Sequence, residues 1–180
     1  MIFTATKIPG AFLIDLERQE DDRGFFARSF CASEFKRNGL KAEFVQDSIS
    51  FNPAKGTLRG MHYQGAPHEE AKIVRCTRGA IYDVLVDVRP ASPAFRQWLG
   101  CELTAENRRS LYVPEGCAHG FQTLGHDAEV FYQISEFYHP ECARGVRWND
   151  PAFGIQWPWP NPVISARDQG FPDWGNPLLG

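Results

Sequence analysis

Between Thr57 and Lys72 the chain reads Thr-Leu-Arg-Gly-Met-His-Tyr-Gln-Gly-Ala-Pro-His-Glu-Glu-Ala-Lys, setting Arg59, His62, Gln64 and Lys72 along a strand, loop, strand segment. A base, an amide and two cations can thereby converge on one cavity. In an extended chain, side chains two apart share a face, so His62 and Gln64 point one way while Met61 and Tyr63 point the other. Three roles are open to such a histidine: a base, a metal ligand, or a hydrogen-bonded member of the core.

A second dense stretch, Val-Pro-Glu-Gly-Cys-Ala-His-Gly-Phe at residues 113–121, predicts a tight turn feeding a strand that begins at His119. If a metal were bound, His62, His119 and Glu69 or Glu70 would be its ligands. Gln64 is a poor ligand, and the Lys72 ammonium repels a divalent cation, so we expect no metal.

These side chains need a scaffold, and the surrounding pattern is almost wholly β. Residues 8–16, 25–30, 44–51, 58–64, 71–76, 80–88, 98–103, 110–113, 120–123 and 129–135 read as short strands punctuated by glycine and proline. The one convincing helical turn is 33–40, with Ser33 as N-cap and Gly39 as stop. About ten strands with so little helix imply an all-β sandwich or barrel with short peripheral helices. From about Trp148 the tail carries six prolines, through Pro177, and four of the five tryptophans. It is expected to wrap the barrel as ordered loop pinned by aromatic rings, with no central strand or helix.

The chain has 180 residues, 43% of them hydrophobic and 23% charged, which fits one domain over 1–180. Its net charge of -3 offers no general attraction to nucleic acid or an anionic membrane. No apolar run reaches 18 residues, and the N-terminus lacks a basic region followed by an apolar core, so neither a membrane span nor a signal peptide is expected. Cys31, Cys76, Cys101, Cys117 and Cys142 are odd in number and never spaced Cys-x-x-Cys. That argues against a disulfide framework and predicts a reducing, cytoplasmic setting.

The paired histidine-bearing strands resemble the two-motif signature of the cupin superfamily, a small β jelly roll with its site inside the barrel. A closer resemblance covers nearly the whole chain. Asp22-Arg23-Gly24-x-Phe26, Leu58-Arg59-Gly60-x-His62-Tyr63-Gln64, Ala71-Lys72-x-Val74, Asp83-Val84-x-Val86-Asp87-x-Arg89, Pro114-x-Gly116-x-Ala118-His119-Gly120-Phe121, Trp148-Asn149-Asp150-Pro151, Trp157-Pro158 and Ser165-x-Arg167-Asp168 resemble, in order, the motifs of the dTDP-4-dehydrorhamnose 3,5-epimerase family.

That resemblance implies cofactor-free epimerisation at C3, C5 or both of a nucleotide-linked 4-keto-6-deoxy sugar. Both hydrogens flank the ketone, so removing one leaves an enolate with charge on O4. By resemblance His62 is the base, Asp168 holds its other ring nitrogen, Lys72 faces the oxyanion, and Tyr132 returns the proton from the opposite face; Tyr138 competes with Tyr132 for that last role. Arg23, Arg59, Gln46 and His119 match residues for the pyrophosphate and sugar hydroxyls, joined among substrate contacts by Phe26, Arg28, Ser48, Gln64, Tyr138 and Arg167. The family's N-terminal strands pair with a neighbouring subunit, which implies a homodimer with exchanged N-terminal strands and Arg23 acting across the interface.

Several positions depart from the family pattern. Arg28 stands for a glutamate, Ser48 for an asparagine, Glu70 for a glutamine, Ala143 for a glutamate and Arg167 for a lysine. The proton-transfer set is intact while the surroundings of nucleotide and sugar differ, which suggests another nucleotide, another sugar, or a single epimerised carbon. A 3,4-ketoisomerase, a metal-dependent cupin and a non-catalytic sugar-binding cupin are the other readings.

Overall fold

Strand alternation decides which side chains meet inside. Along residues 80–87 the even positions Tyr82, Val84 and Val86 pack on one face, and the odd positions Ile81 and Leu85 on the other. Asp83 therefore shares the face of Ile81 and Leu85, a polar group directed into an apolar interior. The same parity along residues 117–123 sends Cys117, His119 and Phe121 inward and Ala118 outward.

The computed structural model describes residues 1–175. Its strands are β1 (Ile2–Ala5), β2 (Phe12–Asp15), β3 (Gln19–Asp21), β4 (Gly24–Phe26), β5 (Gln46–Asn52), β6 (Thr57–Gln64), β7 (Lys72–Arg78), β8 (Ala80–Asp87), β9 (Trp98–Thr104), β10 (Ser110–Val113), β11 (Cys117–Thr123), β12 (Ala128–Ile134), β13 (Ala143–Gly145) and β14 (Val163–Ile164). Two short helices, α1 (Ala32–Arg37) and α2 (Ala166–Gln169), and a 3-10 turn at Pro140–Cys142 complete the elements.

The strands form two six-stranded sheets. The first runs β1-β2-β10-β7-β12-β5; the second runs β13-β6-β11-β8-β9, with β14 added in parallel to β6. Inward residues of β7, β10 and β12 meet those of β8, β9 and β11 in one apolar cluster, centred on Val74, Leu85, Leu111 and Phe121. This is the expected small jelly roll of cupin type.

Both outer faces are covered. Helix α1 lays Phe35 against Ile14, Ile73 and Tyr112 on the first sheet. It stops at Gly39, where φ is +71°, with Leu40 N–H bonded to the Phe35 carbonyl and Gly39 N–H to that of Lys36. The helix starts two residues earlier than expected: its N-cap is Cys31 rather than Ser33, and no side chain caps it.

The tail covers the second sheet with Phe153, Ile155, Trp157 and Trp174. Buried Gln122 clamps it by accepting from Trp159 N–H and donating to its carbonyl, both at 2.9 Å. Within this wrap the structure adds β14 and α2, which its proline content argued against. Both fit between prolines because each is short, and β14 pairs only at Thr57 and Leu58, the start of β6. Pro177 and the end of the expected wrap lie outside the described residues.

The N-terminus adds a strand to the expected set. Strand β1, unanticipated from sequence, pairs with β2, and β2 pairs with β10 of the same chain. Within the chain β1 is thus the edge strand of the first sheet, paired on one side only. The strand expected at 25–30 is instead the second arm of the β3–β4 hairpin, a separate two-stranded sheet exposed on both strands.

Candidate active site

His62 lies near the end of β6, directly opposite His119 of β11 in the strand register. Two glycines allow these strands to come so close. Gly60 has φ +135°, and a Cβ there would meet Gly120 Cα at 2.6 Å and the His119 carbonyl oxygen at 3.1 Å. Gly60→Ala is therefore expected to cost about 1–3 kcal/mol of stability, read as a lowered melting temperature; an unchanged melt would show that the close approach constrains nothing.

Gly60 also reaches the tail. Its N–H donates to Asp168 Oδ2 at 3.1 Å, while Asp168 Oδ1 lies 2.8 Å from His62 Nε2. Asp168 sits on α2, where Ser165 caps the helix by accepting from the Asp168 N–H, and it is buried, not an exposed loop carboxylate. Burial raises its pKa, but hydrogen bonding and charge attraction from His62, with the Gly60 N–H, outweigh that and hold the carboxyl below its ordinary value. An anionic carboxylate only accepts, so His62 donates Nε2–H to it, leaving Nδ1 as the ring nitrogen not engaged by Asp168. The His62 side chain is 37% exposed, open enough to meet a ligand.

A second histidine–carboxylate pair lies deeper. His119 Nε2 is 2.8 Å from Asp83 Oδ1, and both residues are buried. Asp83 Oδ2 has no partner, and burial pushes this carboxyl above its usual range against the lowering influence of His119 and Lys72. Asp83 was absent from the sequence-based site, although an acid at an inward position of an alternating strand is a readable signal. His119, expected as a substrate contact, is committed to this carboxylate, and its ring meets that of Tyr132 edge-on at 6.1 Å.

Lys72 begins β7 on the facing sheet. Its ammonium lies 2.8 Å from Glu70 Oε1 and 3.5 Å from the His62 carbonyl oxygen, and both members of the ion pair have side chains only 10% exposed. Glu70, a departure from the family pattern, thus supplies the anion that a buried lysine requires. Tyr132, on β12, projects from that same sheet against the apolar interior. Burial, and then the charge of Asp83, push its phenol far above the ordinary value while Arg59 pulls the other way, so it stays protonated. Arg59 is held by Asn52, whose Oδ1 accepts from Nε at 2.7 Å, and the Phe171 ring stands edge-on to His62 at 5.8 Å.

The remaining expected contacts divide by position. Gln46 accepts from Tyr138 N–H at 2.8 Å, Ser48 is the register partner of Tyr132, and Tyr138 is exposed at the rim. Arg167 is exposed beside Asp168. Arg23 and Phe26 lie on the β3–β4 hairpin, where Arg23 pairs with Asp21 at 2.6 Å; Arg28 follows and pairs with Glu34 at 3.4 Å. None of these three bonds to the His62 group. Gln64 is a correction: it is buried, and its amide bonds to the backbone of His68, Phe137 and His139. It braces loops where a substrate contact was expected.

The ligands weighed for a metal do not assemble. His62 is bonded to Asp168, His119 to Asp83 and Glu70 to Lys72. An open cavity of about 430 Å³, lined by Lys41, Arg89, Tyr112 and Glu115 among others, shares no lining residue with the His62 group.

Fold and site together define a cupin-type jelly roll whose interior carries titratable side chains from both sheets. Residues 5–176 match the family model described as dTDP-4-dehydrorhamnose 3,5-epimerase. The chain is 44% identical over 164 residues to the dTDP-4-dehydrorhamnose 3,5-epimerase of Shigella flexneri, covering 91% of this chain and 90% of that protein. Among solved structures, the dTDP-4-dehydrorhamnose 3,5-epimerase of Elizabethkingia anophelis superposes with a TM-score of 0.94 at 37% identity, covering 97% and 96% of the two chains. That of Bacillus anthracis, with TDP and PPi bound, gives 0.92 at 40% identity, covering 96% and 98%. This chain belongs to the dTDP-4-dehydrorhamnose 3,5-epimerase family.

Proposed function

We propose that the protein epimerises C3 and C5 of a dTDP-linked 4-keto-6-deoxy sugar, turning dTDP-4-dehydro-6-deoxyglucose into dTDP-4-dehydrorhamnose. The observation that carries this reading is the His62–Asp168 pair, a partly exposed imidazole bonded through Nε2 to a buried anion. Family membership supports the dTDP nucleotide over the CDP, GDP and UDP sugars that the altered contact positions left open.

The chemistry follows from the placement of donors. His62 Nδ1 takes the proton from a carbon beside the ketone, and Asp168 stabilises the imidazolium that results. The electron pair moves onto O4, where the Lys72 ammonium offsets the developing charge. Tyr132, on the facing sheet, gives its phenolic proton to the other face of the enolate, inverting the carbon. One proton leaves the substrate and one returns, so no oxidant or reductant is consumed. Arg59 and the Gln46–Tyr138 rim are suited to the nucleotide side, since a guanidinium grips phosphate oxygens in pairs.

The assembly we propose is a homodimer in the cytoplasm. Its support is the outlying β3–β4 hairpin with Phe26 71% exposed, together with Ile49 and Phe51 exposed on edge strand β5. Arg23, Phe26 and Arg28 would then serve a neighbouring subunit's site. All five cysteines are free, as a reducing compartment requires, and among the described residues no helix is long and apolar enough to cross a membrane.

Turnover of matched dTDP, CDP, GDP and UDP 4-keto-6-deoxyglucoses, followed by NMR of the products, tests the substrate. The dTDP sugar should react fastest and emerge inverted at both carbons. Preference for another nucleotide, or inversion at one carbon only, would overturn that part of the proposal.

A further inference from the structure

At the barrel rim a group of side chains lies outside the proposed chemistry. His68, between β6 and β7, and His139, just after β12, stack face to face with ring centroids 3.5 Å apart and planes at 8°. Each ring has its own carboxylate: Glu136 Oε2 lies 3.8 Å from His68 Nδ1, and Glu141 Oε1 lies 3.2 Å from His139 Nδ1. One ligand atom from each of His68, Glu136 and His139 falls within 4.8 Å of the other two, the one such trio among the described residues.

The backbone beneath this group is fixed by a single buried amide. Gln64, 2% exposed, donates Nε2–H to the carbonyls of His68 and Phe137, each at 3.0 Å, and its Oε1 accepts the His139 N–H at 2.6 Å. One rigid side chain thus sets the spacing of both histidines and of the residue after Glu136. The histidine and Glu136 side chains above it are about a third exposed, leaving an ion a path in from solvent.

We propose that His68, Glu136 and His139, with Glu141 as a fourth ligand, form a site for a first-row divalent cation of the zinc type. Two imidazole nitrogens with carboxylate oxygens suit zinc, whereas magnesium and calcium favour oxygen alone. A bound cation would take one nitrogen lone pair from each imidazole. On binding, the exposed rings rotate out of parallel so that each nitrogen points at the ion. The site is structural: it ties the β6–β7 connection to the 136–141 segment that carries Tyr138, and no step of the proposed epimerisation passes through it.

The test uses the full chain freed of metal by chelator and dialysis. Calorimetric titration with zinc should show one saturable equivalent, and cobalt in its place should give the visible bands of a low-symmetry four-coordinate site. His68→Ala and His139→Ala should each weaken zinc binding by at least about tenfold, and zinc should raise the melting temperature of the wild type but not of the double variant. Circular dichroism of the variants checks that they fold. No stoichiometric binding by the wild type, or binding unchanged in a folded double variant, would overturn the proposal. Neither result bears on the epimerase reading, because turnover is not the readout.

Discussion

His62→Ala, incubated with the dTDP-linked 4-keto-6-deoxy sugar in D2O, should leave the C3 and C5 hydrogens in place. A positioned general base contributes ~10²–10⁴-fold, and exchange should fall by that much. His62 combines a 37% exposed side chain with a buried anionic partner, Asp168. The other interior histidine, His119, is 4% exposed and bonded to Asp83, so it cannot readily substitute. The variant should fold, because the core contacts of β6 on its outer face come from Met61 and Tyr63. Exchange at the wild-type rate in a folded His62→Ala protein would remove His62 from the mechanism.

Tyr132→Phe should separate two events that the wild type couples. Its phenol is held protonated by burial and by the charge of Asp83, which makes it an acid and excludes it as the initial base. Without that hydroxyl, His62 can still form the enolate and return a solvent-derived proton to the face it came from. Deuterium should therefore continue to enter, while inversion falls by ~10²–10⁴-fold, the contribution of a positioned acid. The ring itself stays, so its contact with His119 at 6.1 Å and its apolar packing survive. Full inversion in Tyr132→Phe would shift the acid's role to another residue, with rim residue Tyr138 the first to examine.

The β architecture was legible because period-two alternation reports burial directly, as in residues 80–87. The spacing of Arg59, His62 and Lys72 was equally visible, since all three fall on two adjacent strand segments. Asp168 was not legible from spacing: it lies 106 residues from its partner, and only resemblance pointed to it. Parity correctly put Gln64 on the face of His62 but carries no information on depth, and at the end of β6 the loops close over it. Parity places Asp83 on the inward face of Ile81 and Leu85, but nothing local to that strand shows the His119 it meets there. Two other differences arise from contacts that local pattern cannot show. Strand β1 is only four residues long, Ile2–Ala5, and gains its place by pairing with β2. Gln122 and the start of β6 hold the tail in place, and so allow α2 and β14 between prolines. The His68–His139 stack is a property of loop closure, set by an amide that sequence assigned elsewhere.

The central claim is that side chains facing each other across the barrel move protons at the carbons flanking a ketone. Its most direct test is the fate of solvent deuterium in the wild-type protein, chelator-treated, with the dTDP-linked 4-keto-6-deoxy sugar in D2O. Proton NMR should show the C3 and C5 signals disappearing as the inverted product forms. Inverted product that retains both original hydrogens would contradict proton exchange through His62 and Tyr132.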